Sequence, residues 1–183
     1  MSTDYQSLTG EYAFDTAHST IGFVARHAMV TKVRGAFNEF EGTVTVDGAN
    51  PANSSATASL KVASVDTRND QRNGHLLSGD FFEQDEYPYM TFRSTGITAR
   101  GGDDFTLTGE LTVKDVTRPV AFDVEFTGAA VDVYGNHRIG FEARATVSRK
   151  DFGMTWNAAL ETGGVLVSDK IGIELEVSAI RQG

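Results

Sequence analysis

The sequence predicts an all-β fold: an antiparallel barrel of about eight strands, with a short helical insertion after the third long strand. Two observations carry this. First, apolar and polar side chains alternate strictly, as in Phe105, Leu107, Gly109, Leu111 and Val113 against Thr106, Thr108, Glu110, Thr112 and Lys114. The same alternation runs through residues 120–127, 139–148 and 170–179. A period of two means strands with one dry and one wet face. Second, no strand–helix–strand rhythm accompanies it, which argues against a doubly wound nucleotide-binding fold. Long antiparallel strands of this kind close a barrel or stack as a sandwich. A closed barrel of about eight strands has room for one small ligand.

Taken in order, residues 1–10 read as a polar, flexible N-terminal tail, and residues 11–183 as a single domain. Residues 12–14 read as a short entry strand. A strand over residues 19–30 places Ile21, Phe23, Ala25 and His27 on its dry face. The next covers residues 32–46; its apolar phase slips between Phe37 and Phe40, which predicts a β-bulge. Asp47-Gly48 and residues 49–53 make a turn, and Ala56, Ala58, Leu60 and Val62 mark a third strand. From Thr67 to Glu86 the two-residue period disappears. Thr67-Arg68-Asn69-Asp70 fits a capping box, a helix over residues 70–78 follows, and Gly79 closes it. Strands resume over residues 89–99, 105–114, 118–132, 137–150 and 167–180. Gly101-Gly102-Asp103 and Tyr134-Gly135-Asn136 supply turns.

Bulk composition narrows the function classes. With 40% hydrophobic and 22% charged residues the 183-residue chain is ordinary for one globular domain. Its 12 Phe against 5 Tyr and 1 Trp suit a greasy interior, because Phe brings apolar area and no polar atom. A formal net charge of -9 argues against nucleic acid and anionic membrane surfaces, which need basic patches. The absence of Cys excludes disulfides and thiolate chemistry. The first residues lack the basic and apolar regions of a secretory signal, and no stretch is apolar enough to span a membrane. A cytoplasmic location is therefore expected.

The chemistry-bearing residues are few. Small residues share the inward phase with large ones: Ala25, Gly109, Ala143 and Ala145 beside Phe23, Phe122 and Phe141. Either they leave volume for a ligand, or they complement the large side chains across a packed core. The four histidines form no close metal-ligand pair, so no metal site is expected. His27 continues a dry phase, as a core or cavity-mouth histidine or, less simply, an acid–base group. His75 lies in the helical insertion, as a cap or tether. Asp151-Phe152-Gly153 lacks the partner motifs and the α/β setting of a kinase magnesium site. Arg149, Arg68 and Arg72 sit at strand ends or beside the insertion, as solvated rim charges or as contacts to an anionic head group.

An ordered set of segments carries a resemblance. It runs from Phe14-Asp15 and His18-Ser19 through Gly35-Ala36-Phe37, Phe40-Glu41-Gly42 and Val65-Asp66-Thr67. His75-Leu76, Asp80-Phe81-Phe82 and Tyr87-Pro88 follow. After these come Gly109-Glu110-Leu111-Thr112-Val113, Thr117-Arg118-Pro119-Val120, Arg149 with Asp151-Phe152-Gly153-Met154, and Val167-Ser168-Asp169. In these the chain resembles the YceI-like family of polyisoprenoid-binding, lipocalin-like proteins, across residues 12–180. The resemblance implies a lipocalin-like barrel with a long apolar channel, no catalytic residues, no catalytic cofactor and a homodimer. The implied ligand is a small apolar molecule: a polyisoprenoid, an isoprenoid quinone or a polyprenyl phosphate. The channel wall is then expected at Ile21, Phe23, Ala25, His27 and Phe40; at Phe92, Leu107, Gly109 and Leu111; and at Phe122, Val124, Phe141, Ala143 and Leu175. Phe81 and Met154 are expected to join it, with Arg68, Arg72, His75 and Arg149 as head-group contacts. One departure stands out: relatives often carry Arg-Asp before the His-Leu pair, whereas here Arg72-Asn73-Gly74 precedes His75. A packed-core stress or interaction protein and an isoprenoid-modifying enzyme using His27 or His75 are the rival readings.

Overall fold

The computed structural model describes residues 3–158, 160 and 166–183. Its strands are β1 (Gly10–Phe14), β2 (Thr20–His27), β3 (Thr31–Phe37), β4 (Phe40–Val46), β5 (Ser55–Lys61) and β6 (Val65–Asp66). Among the described residues one α-helix, α1 (Asp70–Leu77), precedes β7 (Tyr89–Gly101), β8 (Asp104–Val113), β9 (Val116–Val131), β10 (His137–Ser148) and β11 (Lys170–Arg181). Neighbours run β1-β4-β5-β7-β8-β9-β10-β11, and β11 pairs back onto β1, closing an eight-stranded antiparallel barrel. Closure removes the free edges that an open sheet exposes. Three staves are broken in two. β2 continues β1 along β11, β3 pairs with β2 where β4 pairs with β1, and β6 extends β5 beside β3.

The break between β3 and β4 corrects the expected bulge. Residues 38–39 leave the ladder, with the Asn38 amide donating to the Ser64 carbonyl at 3.2 Å and the Lys61 amide donating to the Glu39 carbonyl at 2.9 Å. The apolar phase restarts there because each half-strand must keep its dry face inward while changing partners. The insertion is also closed differently than expected. Asn69, not Thr67, caps α1, its side chain accepting from the Arg72 amide at 2.9 Å. Ser78 ends the helix in extended backbone, so Gly79 plays no left-handed closing role.

The two ends of the barrel differ in their closures. One, the mouth, gathers α1 and residues 80–88, the β2–β3 and β8–β9 turns and residues 149–158. The other, the floor, gathers the β4–β5, β7–β8 and β9–β10 turns and the N-terminal residues. Residues 3–9, expected as a flexible tail, instead lie across this floor. Tyr5–Leu8 form a 3₁₀ turn capped by the Asp4 side chain. The Tyr5 hydroxyl and the Thr3 hydroxyl both donate to Asp103 Oδ1 at 2.6 Å. A small core cluster of Tyr12, Ile139, Val177 and Ala179 sits just above, with Tyr12 and Ala179 fully buried. The larger cluster fills the mouth half, including Phe37, Val65, Phe81, Phe82, Phe122 and Phe152. Burying each such Phe contributes about 1.5–3 kcal/mol.

Candidate ligand-binding channel

An apolar cavity of about 340 Å³ runs along the barrel, from Arg149, Met154 and Val167 at the mouth to Tyr5 and Leu8 at the floor. The alternation of each strand decides which side chains face it. β2 contributes Ile21, Phe23, Ala25 and, at the rim, His27; β8 contributes Leu107 and Leu111; β9 contributes Phe122 and Val124. Phe92, Phe141, Ala143 and Leu175 face it from β7, β10 and β11, while Phe81 and Met154 close in from the mouth segments. Phe23, Leu107, Val124, Phe141 and Leu175 point inward yet remain only half-buried, so the surface they keep faces the void rather than neighbouring side chains.

Two expected wall residues stand elsewhere. Gly109 is inward but covered: a Cβ on it would overlap the Phe92 ring and the Arg93 carbonyl. Phe92 itself meets Phe122 edge to face at 5.3 Å. The same arrangement recurs where Phe23 covers Gly35 and Phe14 covers Gly42. At these glycines the small residue complements a large one on the next strand. At Ala25 and Ala143 it leaves room along the channel. Phe40 borders a separate recess of mixed polar and apolar lining, with Thr43, Thr57, Thr91 and Arg93, instead of the channel.

The four candidate head-group residues separate in the same way. Arg149 is 2% exposed and lines the mouth. Its Nε donates to the Ser168 carbonyl at 2.9 Å, and Nη1 donates to the Met154 and Trp156 carbonyls at 2.7 and 2.8 Å. Nη2 donates to the Val167 carbonyl at 3.3 Å. Burial pushes its pKa below the ordinary arginine value, opposed by the charge of Asp169. The guanidinium thus ties two loop segments together from inside, and its charge looks onto the channel. Arg72 is turned away, with Nε donating to Thr67 Oγ1 at 2.9 Å and Nη2 to the Thr67 carbonyl at 2.6 Å. Asn73 accepts from the Thr67 amide and hydroxyl at 2.8 and 2.6 Å. Arg68 is exposed with left-handed backbone. Neither Arg68, Arg72 nor His75 reaches the channel. His75 instead packs edge-on against Trp156 at 4.6 Å and Phe81 at 5.0 Å, with Nε2 2.9 Å from Asp80 Oδ2. It is placed as a tether between α1 and the segment after β10.

Several channel residues have no signal in local pattern. Tyr5 and Leu8 line the floor although their segment carries no alternation. Phe105 and Phe126 were legible as inward phases but only their contact with Tyr5 makes them floor residues. Beside them Arg138 joins Asp15 at 2.6 Å and Asp132 at 2.7 Å, and these bonds hold both carboxyls below the usual carboxylate range. Among the described residues no group of three acidic or histidine side chains could hold a metal ion, and no helix is long and apolar enough to cross a membrane.

Comparison with known proteins agrees with this architecture. A UPF0312 protein of Staphylococcus aureus is 37% identical over 164 residues, covering 89% of this chain and 93% of the relative. The crystal structure of BcnA from Burkholderia cenocepacia superposes with a TM-score of 0.80 at 27% identity, over 90% of this chain and 98% of that one. A polyisoprenoid-binding domain from Saccharophagus degradans, implicated in plant cell wall breakdown, shares the fold with a TM-score of 0.72 at 16% identity, over 93% of this chain and 98% of its own. The model of the YceI-like domain matches residues 12–179, and with nearly the whole barrel inside that match the chain belongs to the YceI-like family.

Proposed function

We infer that the protein binds and carries, or stores, a long apolar ligand of the polyisoprenoid class, a quinone or polyprenyl phosphate included, inside the barrel. The observation that supports this most is the continuous apolar channel whose inward side chains keep exposed surface. A packed-core protein would bury those side chains against one another. Burial drives such binding at ~25 cal/mol per Å² before association costs. A narrow channel selects long thin chains over bulky ones. The head group is placed at the mouth, where Arg149 offers positive charge. Most of its donors are held by carbonyls, so this contribution is minor. The protein acts as a carrier rather than an enzyme. His27 stands at the exposed rim, and His75 is engaged with Asp80 and Trp156 away from the channel. That a polyisoprenoid-binding domain shares this fold agrees with the ligand class.

The test is a titration of C15, C20 and C40 prenyl alcohols and diphosphates at two ionic strengths. Affinity is expected to climb with chain length until the channel is full, with little salt dependence, because apolar contacts are not screened. Ala143→Phe, which places a ring in the channel, is expected to abolish co-purifying lipid while the far-UV spectrum stays that of a β-protein. Equal affinity across chain lengths, or no binding of the uncharged alcohols, would sink the reading.

A further inference from the structure

The N-terminal residues form a second closure with its own construction. Tyr5 meets Phe105 and Phe126 edge to face at 5.6 and 5.5 Å, and with Leu8 it completes the channel floor. The segment is anchored on three sides. Thr3 and Tyr5 share Asp103 in the β7–β8 turn. The Leu8 carbonyl accepts from the Tyr12 hydroxyl at 2.8 Å, and the Ser7 carbonyl accepts from Arg181 Nη2 at 2.8 Å. The Gly48 amide donates to Thr9 Oγ1 at 2.9 Å in the β4–β5 turn. Gly48 is there because the segment crosses directly over it: a Cβ would overlap the Tyr5 carbonyl and Gln6 Cα. Residues 3–9 also lie outside residues 12–179, which the family model matches.

We propose that this segment is a built-in stopper whose Tyr5 ring sets the longest prenyl chain the channel accepts. The proposal rests on the carrier reading above. An apolar chain entering from the mouth runs toward the floor and ends against the Tyr5 ring and Leu8. Chain beyond that length stays outside and adds no burial. Removing the ring extends the channel between Phe105, Phe126 and the β4–β5 turn, so longer chains gain contacts that shorter ones cannot reach. Tyr5 thus acts as a specificity-determining residue, far from the Arg149 end where a head group sits.

The experiment measures affinity for a ladder of prenyl alcohols from C15 to C55 and reads the length at which affinity levels off. Tyr5→Ala is expected to move that plateau to longer chains. Affinity for the longest should rise at least about tenfold, the gain from burying roughly two more methylene groups. Gly48→Ala, which pushes the segment off the floor and leaves every wall residue in place, is expected to move the plateau the same way. Tyr5→Phe keeps the ring and should keep the wild-type plateau. Thermal melts of each variant check that the barrel remains folded. A plateau unchanged in both Tyr5→Ala and Gly48→Ala, with wild-type length dependence intact, overturns the stopper and leaves the carrier reading standing. A flat profile in the wild type overturns both.

Discussion

The mouth and the floor close the same barrel by different physics. Among the described residues, all six non-glycine residues with left-handed backbone lie at the mouth: Ala28 and Met29, Arg68, Glu83, Lys114 and Asp115. At the floor the turns place that conformation on glycines, Gly101 and Gly102 in one and Gly135 in another. Left-handed backbone costs roughly 1–2 kcal/mol for a residue with a side chain and little for glycine. The mouth therefore carries strain that the packing of Phe81, Phe82 and Phe152 must offset, whereas the floor carries almost none. The polar fastening differs as well. A buried guanidinium holds carbonyls of two loop segments at the mouth. At the floor the fastening is made of hydroxyls: Tyr12 to the Leu8 carbonyl, and Thr3 and Tyr5 to Asp103. Strain concentrated at one end marks the end that rearranges. Ligand is expected to exchange through the mouth, with the floor fixed.

The largest expected effect breaks the mouth. Arg149→Met keeps the apolar stem but leaves the carbonyls of Met154, Trp156 and Ser168 without their donor, while the Val167 carbonyl keeps the Asn157 side-chain amide. At about 1 kcal/mol for each buried carbonyl, the loss is about 3 kcal/mol, read as a lowered urea midpoint. The matching change at the floor, Tyr12→Phe, removes one hydroxyl that bridges the Leu8 carbonyl and Arg181. It should cost about 1 kcal/mol. If Tyr12→Phe proves the more damaging of the two, the contrast between a charge-stapled mouth and a hydroxyl-clasped floor is wrong.

What could be read in advance follows the range of the forces. The eight staves were legible because a strand's face is set by residue parity, a local property. In the sequence the β3–β4 break looks like a bulge, because Phe37 and Phe40 show the same phase slip whether one residue loops out or the strand changes partners. The partner change lies in Ser64 and Lys61, which no local window contains. At Gly109 the sequence leaves free volume and a complementing side chain equally open, because the ring that covers it, Phe92, belongs to the neighbouring strand. Nothing local ties Tyr5 down, because its anchors, Asp103 and Gly48, are far along the sequence. Arg149 reads in the sequence only as a charge, since its partners are backbone carbonyls, which leave no trace in composition.

A pair of turn substitutions sharpens the contrast in backbone strain. Asp115 is exposed with φ 68° in the two-residue β8–β9 turn, where Asn-Gly or Gly would be relaxed. Asp115→Gly is expected to stabilise by up to about 1 kcal/mol. Gly102, φ 58°, has open space where a Cβ would stand, so Gly102→Ala isolates the backbone term and should destabilise by about 1 kcal/mol. Thermal melts in opposite directions support the assignment of strain to the mouth. Two melts that move together contradict it.

The smallest expected effect concerns pH and the floor clasp. Asp103 is held below the usual carboxylate range by the hydroxyls of Thr3 and Tyr5. A depressed carboxylate contributes stability above its unfolded pKa and loses it as pH falls through that range. The Tyr5 phenol is shifted the other way. Burial, then its bond to the Asp103 carboxylate, pushes it up to about 12. A raised phenol contributes stability that is complete below the ordinary tyrosine value of about 10 and is lost as pH climbs through about 12. The clasp should therefore hold across the neutral range and loosen at both extremes. At the alkaline side the measurement is a phenolate absorbance titration of wild type against Tyr5→Phe. The phenol missing from the variant should be a late one, titrating near 12. If it ionises near 10 with an unperturbed tyrosine, Tyr5 is not packed between Phe105 and Phe126 in solution, and the floor is as loose as the mouth.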